Sequence, residues 1–448
     1  MTIETIAAAR QVQASVSVPV TPTRRLRALI FWSVAGLLMF GPLAFGAVEA
    51  WSLFVIQLGA ALLLATWAVL QVASGKVEIR PNPLFGPLLF FGALVFWQVA
   101  AGASAYPYAT ETEAMKYATY CGLFFLASQT GEAEDWRRLA TVLIGFGFLL
   151  AMFAIIQDLT SNGKLYWLRV PTRGGSMYGP YVNRNHYAGL MEMLTPFALV
   201  AALSRSLTPE KKTLMAFAAV IMGGSIFLSR SRGGLLALAV QLLVLGVVYF
   251  RRGSSRTVIA ALLTVGIAAG GLVLWLDRSR MISRLESMPE IGMESMEGVR
   301  LNVVRDGLKM AADRPIAGWG LGVFPVVYPQ YRSFYTSKFV NQAHNDYLQA
   351  LVETGVLGFA LVTWGIFALF REAFRKMRLG PASLHRPILA AAVGCTGLLV
   401  HSLLDFNLRI PANAAVFAVL CALVSTQSHP AREKRLAEMP LAGPLQTT

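Results

Sequence analysis

The sequence is short of charge. Only 14% of its 448 residues are Asp, Glu, Lys or Arg, against roughly a quarter in a soluble domain. A water-soluble fold of this length would need that charge to cover its surface, so the composition argues against the two or three soluble domains that length alone suggests. Cysteine is scarce as well. Cys121, Cys395 and Cys421 all lie in apolar runs and no Cys-x-x-Cys occurs, which leaves them as core residues and implies neither a disulfide framework nor a metal knuckle. No Asp-x-Asp pair is present and no cluster of His, Asp and Glu has ligand spacing, so nothing supports a metal-bound nucleotide chemistry. Gly318-Trp-Gly-Leu-Gly322 imitates a nucleotide loop, but it follows no strand and opens no βαβ unit. The first 23 residues are polar or weakly apolar and contain nothing like a cleavable leader.

What is abundant is hydrophobicity: 55% of residues are apolar and the mean hydropathy is +0.55. A helix needs about 20 apolar residues to cross a bilayer core. Runs of this kind lie at 28–45, 52–73, 84–102, 113–129, 139–157, 186–204, 213–229, 233–250, 257–276, 344–370, 387–404 and 410–426. The expected fold class is therefore all-α, a polytopic membrane bundle of about 12 transmembrane helices. The net charge of +15 would raise nucleic acid as a partner in a soluble protein. Here it fits loops that meet anionic lipid, so membrane lipids are the expected contact and nucleic acid is not.

Lys and Arg alternate between loops. Arg24, Arg25 and Arg27, then Lys76 and Arg80, Lys211 and Lys212, Arg251 and Arg252, and Arg371 to Arg386 fall on one side. The short loops 46–51, 103–112 and 405–408 on the other side have none. By the positive-inside tendency both termini are cytoplasmic. The division that follows is a tail at 1–27, nine helices over 28–276 with an outer loop near 158–185, an outer helical domain at 277–343, three helices over 344–426 and a tail at 427–448. The outer domain contains an amphipathic helix near 298–312, with Leu301, Val304 and Leu308 at helical spacing, Arg300, Arg305 and Lys309 between them, and Pro315 to end it.

The unusual polar residues collect at that outer face. Arg230 and Arg232, in Ser-Arg-Ser-Arg-Gly-Gly, sit where one helix ends and the next begins. Arginine beside hydrocarbon often marks function, and its planar fork suits phosphate oxygens. A tight turn reaching lipid headgroups would look the same. Arg300 opens the amphipathic helix and could equally belong to a solvated face. His344 precedes a long apolar helix. The positive end of a helix favours neutral imidazole, able to accept a proton, whereas a capping or interfacial histidine beside Asn345, Asp346 and Tyr347 is the plainer reading. The segment from Arg173 through Asn183, Arg184, Asn185, His186 and Tyr187 mixes glycine, aromatics and amides. These suit sugar recognition, or an interfacial aromatic belt. Glu113 with Lys116, and Asp405 with Arg409, read as ion pairs or interface anchors.

These segments, in this order, resemble the O-antigen ligase family of bacterial membrane glycosyltransferases, which also takes in O-antigen polymerases and pilin O-oligosaccharyltransferases. The resemblance rests on Asn183-x-Asn185, on Ser231-Arg232-Gly233, and on Arg300 with Arg314-Pro315-x-x-Gly318-x-Gly320-x-Gly322-x-Phe324. It is completed by His344-Asn345-Asp346-Tyr347-Leu348 with Glu353-x-Gly355. It covers about 170–370, and the first five helices match in hydropathy alone. It implies a GT-C-like bundle in the bacterial inner membrane with a periplasmic active site. Undecaprenyl-pyrophosphate-linked glycan would be the donor and lipid A-core the acceptor in lipopolysaccharide assembly, by an inverting transfer without metal or other cofactor. Arg232 and Arg300, aided by Arg230, would hold the pyrophosphate, and His344 would act at the transfer centre. Asn183, Arg184, Asn185, His186, Tyr187, Asn345, Asp346 and Tyr347 would supply further substrate contacts. A polymerase or protein O-oligosaccharyltransferase shares the donor and differs in acceptor. A lipid-linked glycan transporter is the rival of another class, against which stands the apolar character of most helix centres.

Overall fold

The computed structural model describes residues 22–170, 176–204, 206–251, 296–335 and 339–426. The expected apolar run 257–276, the start of the outer domain, the tail 427–448, and Arg173, Arg205, Arg252 and Arg256 lie outside the described residues. Every other expected run coincides with a helix. In chain order these are α1 (Pro22–Leu43), α2 (Ala50–Ala73), α3 (Phe85–Ala100), α4 (Pro107–Thr130), α5 (Ala133–Leu159), α6 (Arg184–Ala202), α7 (Pro209–Leu228), α8 (Arg232–Arg251), α9 (Met296–Asp313), α10 (Asp346–Leu379), α11 (His385–His401) and α12 (Pro411–Ser425). Among the described residues there is no β-sheet, only two isolated bridges. Seven of the helices are long and apolar enough to cross a membrane, and α3 and α12 are shorter apolar helices. Their large side chains point outward along the shafts, as with Phe54, Leu58 and Leu62 on α2 and Leu89, Phe90 and Phe96 on α3. Such a surface suits lipid and not water, and the chain is a multi-pass membrane protein.

Local chemistry sets the helix starts. Proline occupies the first turn of α4, α7 and α12, where its missing N–H is not needed. Asn183 caps α6 by accepting from the Asn185 N–H, and Asn345 caps α10 by accepting from Tyr347 and Leu348. Polar contacts then sort the helix ends into two opposite groups. At one end Arg80 pairs with Glu132, Asn82 donates to Ser425 Oγ (2.9 Å) and Arg386 donates to Ser204 Oγ (2.7 Å). At the other, Arg169 pairs with Glu49 (3.0 Å), Arg314 donates to the Ala103 carbonyl (2.9 Å) and Gln98 donates to that of Ala317 (2.7 Å). The second end contains every candidate site residue.

The amphipathic helix is present, and of its three expected apolar positions only Val304 packs, partly buried, against the neighbouring core. Leu301 and Leu308 are 69% and 53% exposed, while Val303, Asp306 and Met310 are buried. The reason is the partner surface. Gly307 admits Leu348 of α10 (a Cβ there would be 2.9 Å from its Cδ2), and Asp306 accepts from the Ser333 N–H (2.9 Å) and hydroxyl (3.1 Å). Val303 and Met310 join Val323, Phe324, Val327, Leu348 and Val352 in a small second core.

The glycine-rich loop after Pro315 is structural. The Trp319 and Gly320 N–H groups donate to the carbonyls of Val352 (3.0 Å) and Glu353 (2.9 Å), and Val356 N–H donates to the Pro315 carbonyl (2.8 Å). This docking needs a break in α10, supplied by Gly355 at φ +62°. A Cβ at 355 would overlap the Ile316 carbonyl. Gly355→Ala is expected to destabilise the protein by about 2–4 kcal/mol, from the left-handed backbone and the overlap together. Purified variant in detergent should lose its structure at a clearly lower temperature than the parent; an unchanged transition would contradict the docked loop.

Candidate functional site

Five helix ends meet at one point. The start of α6 brings Asn183 to His186, the start of α8 brings Arg232, and α9 brings Arg300. The residues before α10 bring His344, and the link between α11 and α12 brings 402–409. Asn185, Arg300 and His344 converge on Asp405, which is fully buried. One carboxylate oxygen, Oδ1, meets His344 Nδ1 at 3.1 Å and the Phe406 N–H at 3.0 Å. The other, Oδ2, accepts from Asn185 Nδ2 and lies 3.5 Å from the Arg300 guanidinium. The sequence places Asp405 with Arg409, and the structure corrects this: Arg409 pairs instead with Glu353 and with Glu113 (3.3 Å), and Glu113 also holds Lys116.

Burial alone would raise the Asp405 pKa. The hydrogen bond from His344, the two neighbouring imidazoles and the Arg300 guanidinium together outweigh it and hold the carboxyl well below the usual carboxylate range. Asp405 is thus an anion at any ordinary pH. An ionised carboxylate only accepts, so His344 Nδ1 bears the hydrogen and Nε2 is the ring nitrogen left to meet a ligand. His344 itself is left-handed, at φ +50°. A residue of its type tolerates this in a fixed loop, and here the Asn345 cap follows directly and Asp405 holds the ring.

The remaining candidates divide by what they touch. Phe406 is in edge contact with both His186 and His344, with centroids 4.8 and 4.9 Å away. Asp346 accepts from the Leu408 N–H (3.1 Å) and donates its own N–H to the Ser402 carbonyl (2.9 Å), which latches the Asp405 loop to α10. Tyr347 reaches the Leu399 carbonyl (2.9 Å) from the same turn. Asn183 serves the α6 cap, with its Nδ2 3.5 Å from His186 Nε2. Arg184 gives its N–H to the Ser176 carbonyl (2.7 Å). Tyr187 is fully buried and donates to Ser225 Oγ (2.8 Å), so it packs in the bundle and presents nothing to a ligand. Arg230, at φ +58°, stands 3.9 Å from Asp158, and Arg232 is exposed as the first residue of α8.

Beside this centre opens an apolar cavity of about 1000 Å³ between α3, α4, α10 and α12. Its polar lining includes Asp346, Tyr347 and Arg409, and Phe91, Phe96, Phe124 and Phe417 are among its apolar walls. Among the described residues no three His, Cys, Asp or Glu side chains are grouped as metal ligands. The arrangement can orient an imidazole, set an arginine on the same carboxylate and keep an apolar chain alongside.

Asp405 and the Glu192–His401 pair described below were not read as site residues from the sequence. No motif marks either, because Glu192 and His401 stand singly within apolar runs and Asp405 is 61 residues from His344.

Residues 217–363 match a protein-family model described as O-antigen ligase. The matched span is about a third of the chain. It contains Arg230, Arg232, Arg300 and His344, and excludes Asn185 and Asp405. It supports assignment to the O-antigen ligase family and, with it, a glycosyltransferase of the ligase or polymerase type. A search of curated proteins gave no match.

Proposed function

We propose that the protein transfers a glycan from undecaprenyl pyrophosphate to a sugar hydroxyl of lipid A-core, as an O-antigen ligase of the bacterial inner membrane. The observation that carries this reading is the convergence of His344, Arg300 and Asn185 on the buried Asp405 carboxylate, beside an apolar cavity. The distribution of Lys and Arg between the loops supports a periplasmic position for this end of the bundle and cytoplasmic termini.

The step is an in-line displacement. The acceptor oxygen bonds to the anomeric carbon, the bond from that carbon to the phosphate oxygen breaks, and the anomeric configuration inverts. The pyrophosphate leaves with the electron pair, and the hydroxyl proton passes to His344 Nε2. Pyrophosphate is already a good leaving group, so the work lies in alignment and in countering developing charge. Arg232 and Arg300, with Arg230 near, meet that charge. Asp405 fixes the His344 tautomer and stabilises the imidazolium that forms. The apolar cavity accommodates part of the polyprenyl tail. No metal or other cofactor is invoked.

The test is the length of the glycan on undecaprenyl pyrophosphate in cells lacking the protein, with wild type and His344→Ala added back. Long polymers stranded on the carrier, relieved by wild type alone, are the expected result. Single repeat units on the carrier would make the missing step elongation, and the protein a polymerase.

A further inference from the structure

Glu192 of α6 and His401 in the last turn of α11 form a pair, with Oε1 and Nδ1 2.8 Å apart and neither side chain reached by solvent. The transfer step above uses neither. Withdrawing two ionisable groups into such an interior costs several kcal/mol each, and an apolar pair of like volume commonly packs as stably or better. Packing alone is therefore a poor account of this pair, and what it touches suggests a better one.

Gly233, the residue after Arg232, lies against the His401 ring so closely that a Cβ there would overlap it. A Cβ on Gly234 would be 3.1 Å from Glu192 Oε1 and 2.9 Å from Ala188. Further along α8, Gln241 donates to the carbonyls of Glu192 (2.7 Å) and Val393 (3.0 Å), tying the same three helices together. On its other side His401 gives its carbonyl to the Asp405 N–H at 3.1 Å. His401 is thus bound through its ring to α6 and α8, and through its backbone to the residue on which His344, Arg300 and Asn185 converge. Glu192 holds the ring at Nδ1, so the ring cannot turn without losing a buried hydrogen bond.

We propose that Glu192 and His401 are positioning residues that seat the start of α8, and so set Arg232 relative to the Asp405 centre. This rests on the transfer reading above. The two glycines bring the backbone of α8 onto the pair, and a rigid seat matters because a displacement of about 1 Å in a charge-stabilising group can cost on the order of 10²-fold in rate.

The experiment is a double-mutant cycle on the full-length protein in proteoliposomes, reading transfer from undecaprenyl-pyrophosphate-linked O-glycan to lipid A-core. Glu192→Gln keeps the shape and removes the carboxyl group, and Arg232→Lys removes the fork. Each is expected to lower kcat about tenfold, and the double variant to be no more than about twofold slower than either, since both act through one guanidinium. Combined with Arg300→Lys, Glu192→Gln should multiply to about a hundredfold. Losses that multiply equally with both arginine changes, or an active Glu192→Gln enzyme of unchanged rate, would overturn the proposal. If Glu192→Gln does not fold, Gly233→Ala, which keeps both members of the pair and disturbs only the seat, enters the same cycle with the same expected pattern. If neither folds, the pair maintains the bundle and not Arg232, and the proposal is wrong. A wild-type protein that transfers nothing in this assay would instead count against the transfer reading.

Discussion

Replacing His344 with alanine is expected to lower kcat for glycan transfer by about 10²–10⁴-fold, the range for a lost general base. Asp405 is anionic and holds His344 Nδ1 at 3.1 Å, so the ring nitrogen free to take a proton is Nε2. A second variant separates base from orienter. In His344→Asn the side-chain amide can still donate to Asp405 from near the place of Nδ1, but it offers no basic nitrogen. Loss of rate equal to that of alanine would confirm proton transfer to the imidazole. Recovery to within about tenfold of wild type would show that the donor hydrogen bond alone is needed and that the hydroxyl proton leaves by another route.

Asp405→Asn is expected to be as damaging, at about 10²–10⁴-fold in kcat, although the side chain keeps its size. The neutral amide no longer fixes the Nδ1–H tautomer of His344 and no longer balances Arg300 at 3.5 Å. Asp405→Ala should add a loss of stability of about 3 kcal/mol, because Asn185, Arg300 and the Phe406 N–H lose a buried acceptor together. The lower end of the usual range applies, since Arg300 is about a third exposed and water can screen it. Rate and thermal inactivation measured on the same preparations distinguish the two effects. An Asp405→Asn enzyme with rate near wild type would remove Asp405 from the centre and leave His344 oriented by its backbone alone.

Much of the scaffold is legible in the sequence. Hydrophobic runs of helix-spanning length and the alternation of Lys and Arg between loops are properties of short stretches of chain, read without knowing any neighbour. The same holds for the caps at Asn183 and Asn345, where a side chain serves an N–H two or three residues away. Arg232, Arg300 and His344 each admitted a plainer reading from the residues alone, and it was the resemblance to the O-antigen ligase family that singled them out.

What periodicity could not decide is which face of a helix is buried. The α9 pattern offered Leu301 and Leu308, yet the folded chain buries Val303, Asp306 and Met310, because Leu348 and Ser333 supply the complementary surface from distant positions. The same limit applies to Tyr187, an interfacial aromatic by composition and a core residue by packing.

The sequence by itself determined the class of molecule and the positions of its helices, since local composition and spacing specify these, and its family resemblance nominated Arg232, Arg300 and His344. Only the tertiary structure decided that Asp405 joins Arg300 and His344, that Arg409 belongs to Glu113 and Glu353, and that Glu192 and His401 pack against Gly233 and Gly234. Each of these contacts spans helices far apart in the chain, and ion-pair partners are chosen by how helices pack, which no local pattern records.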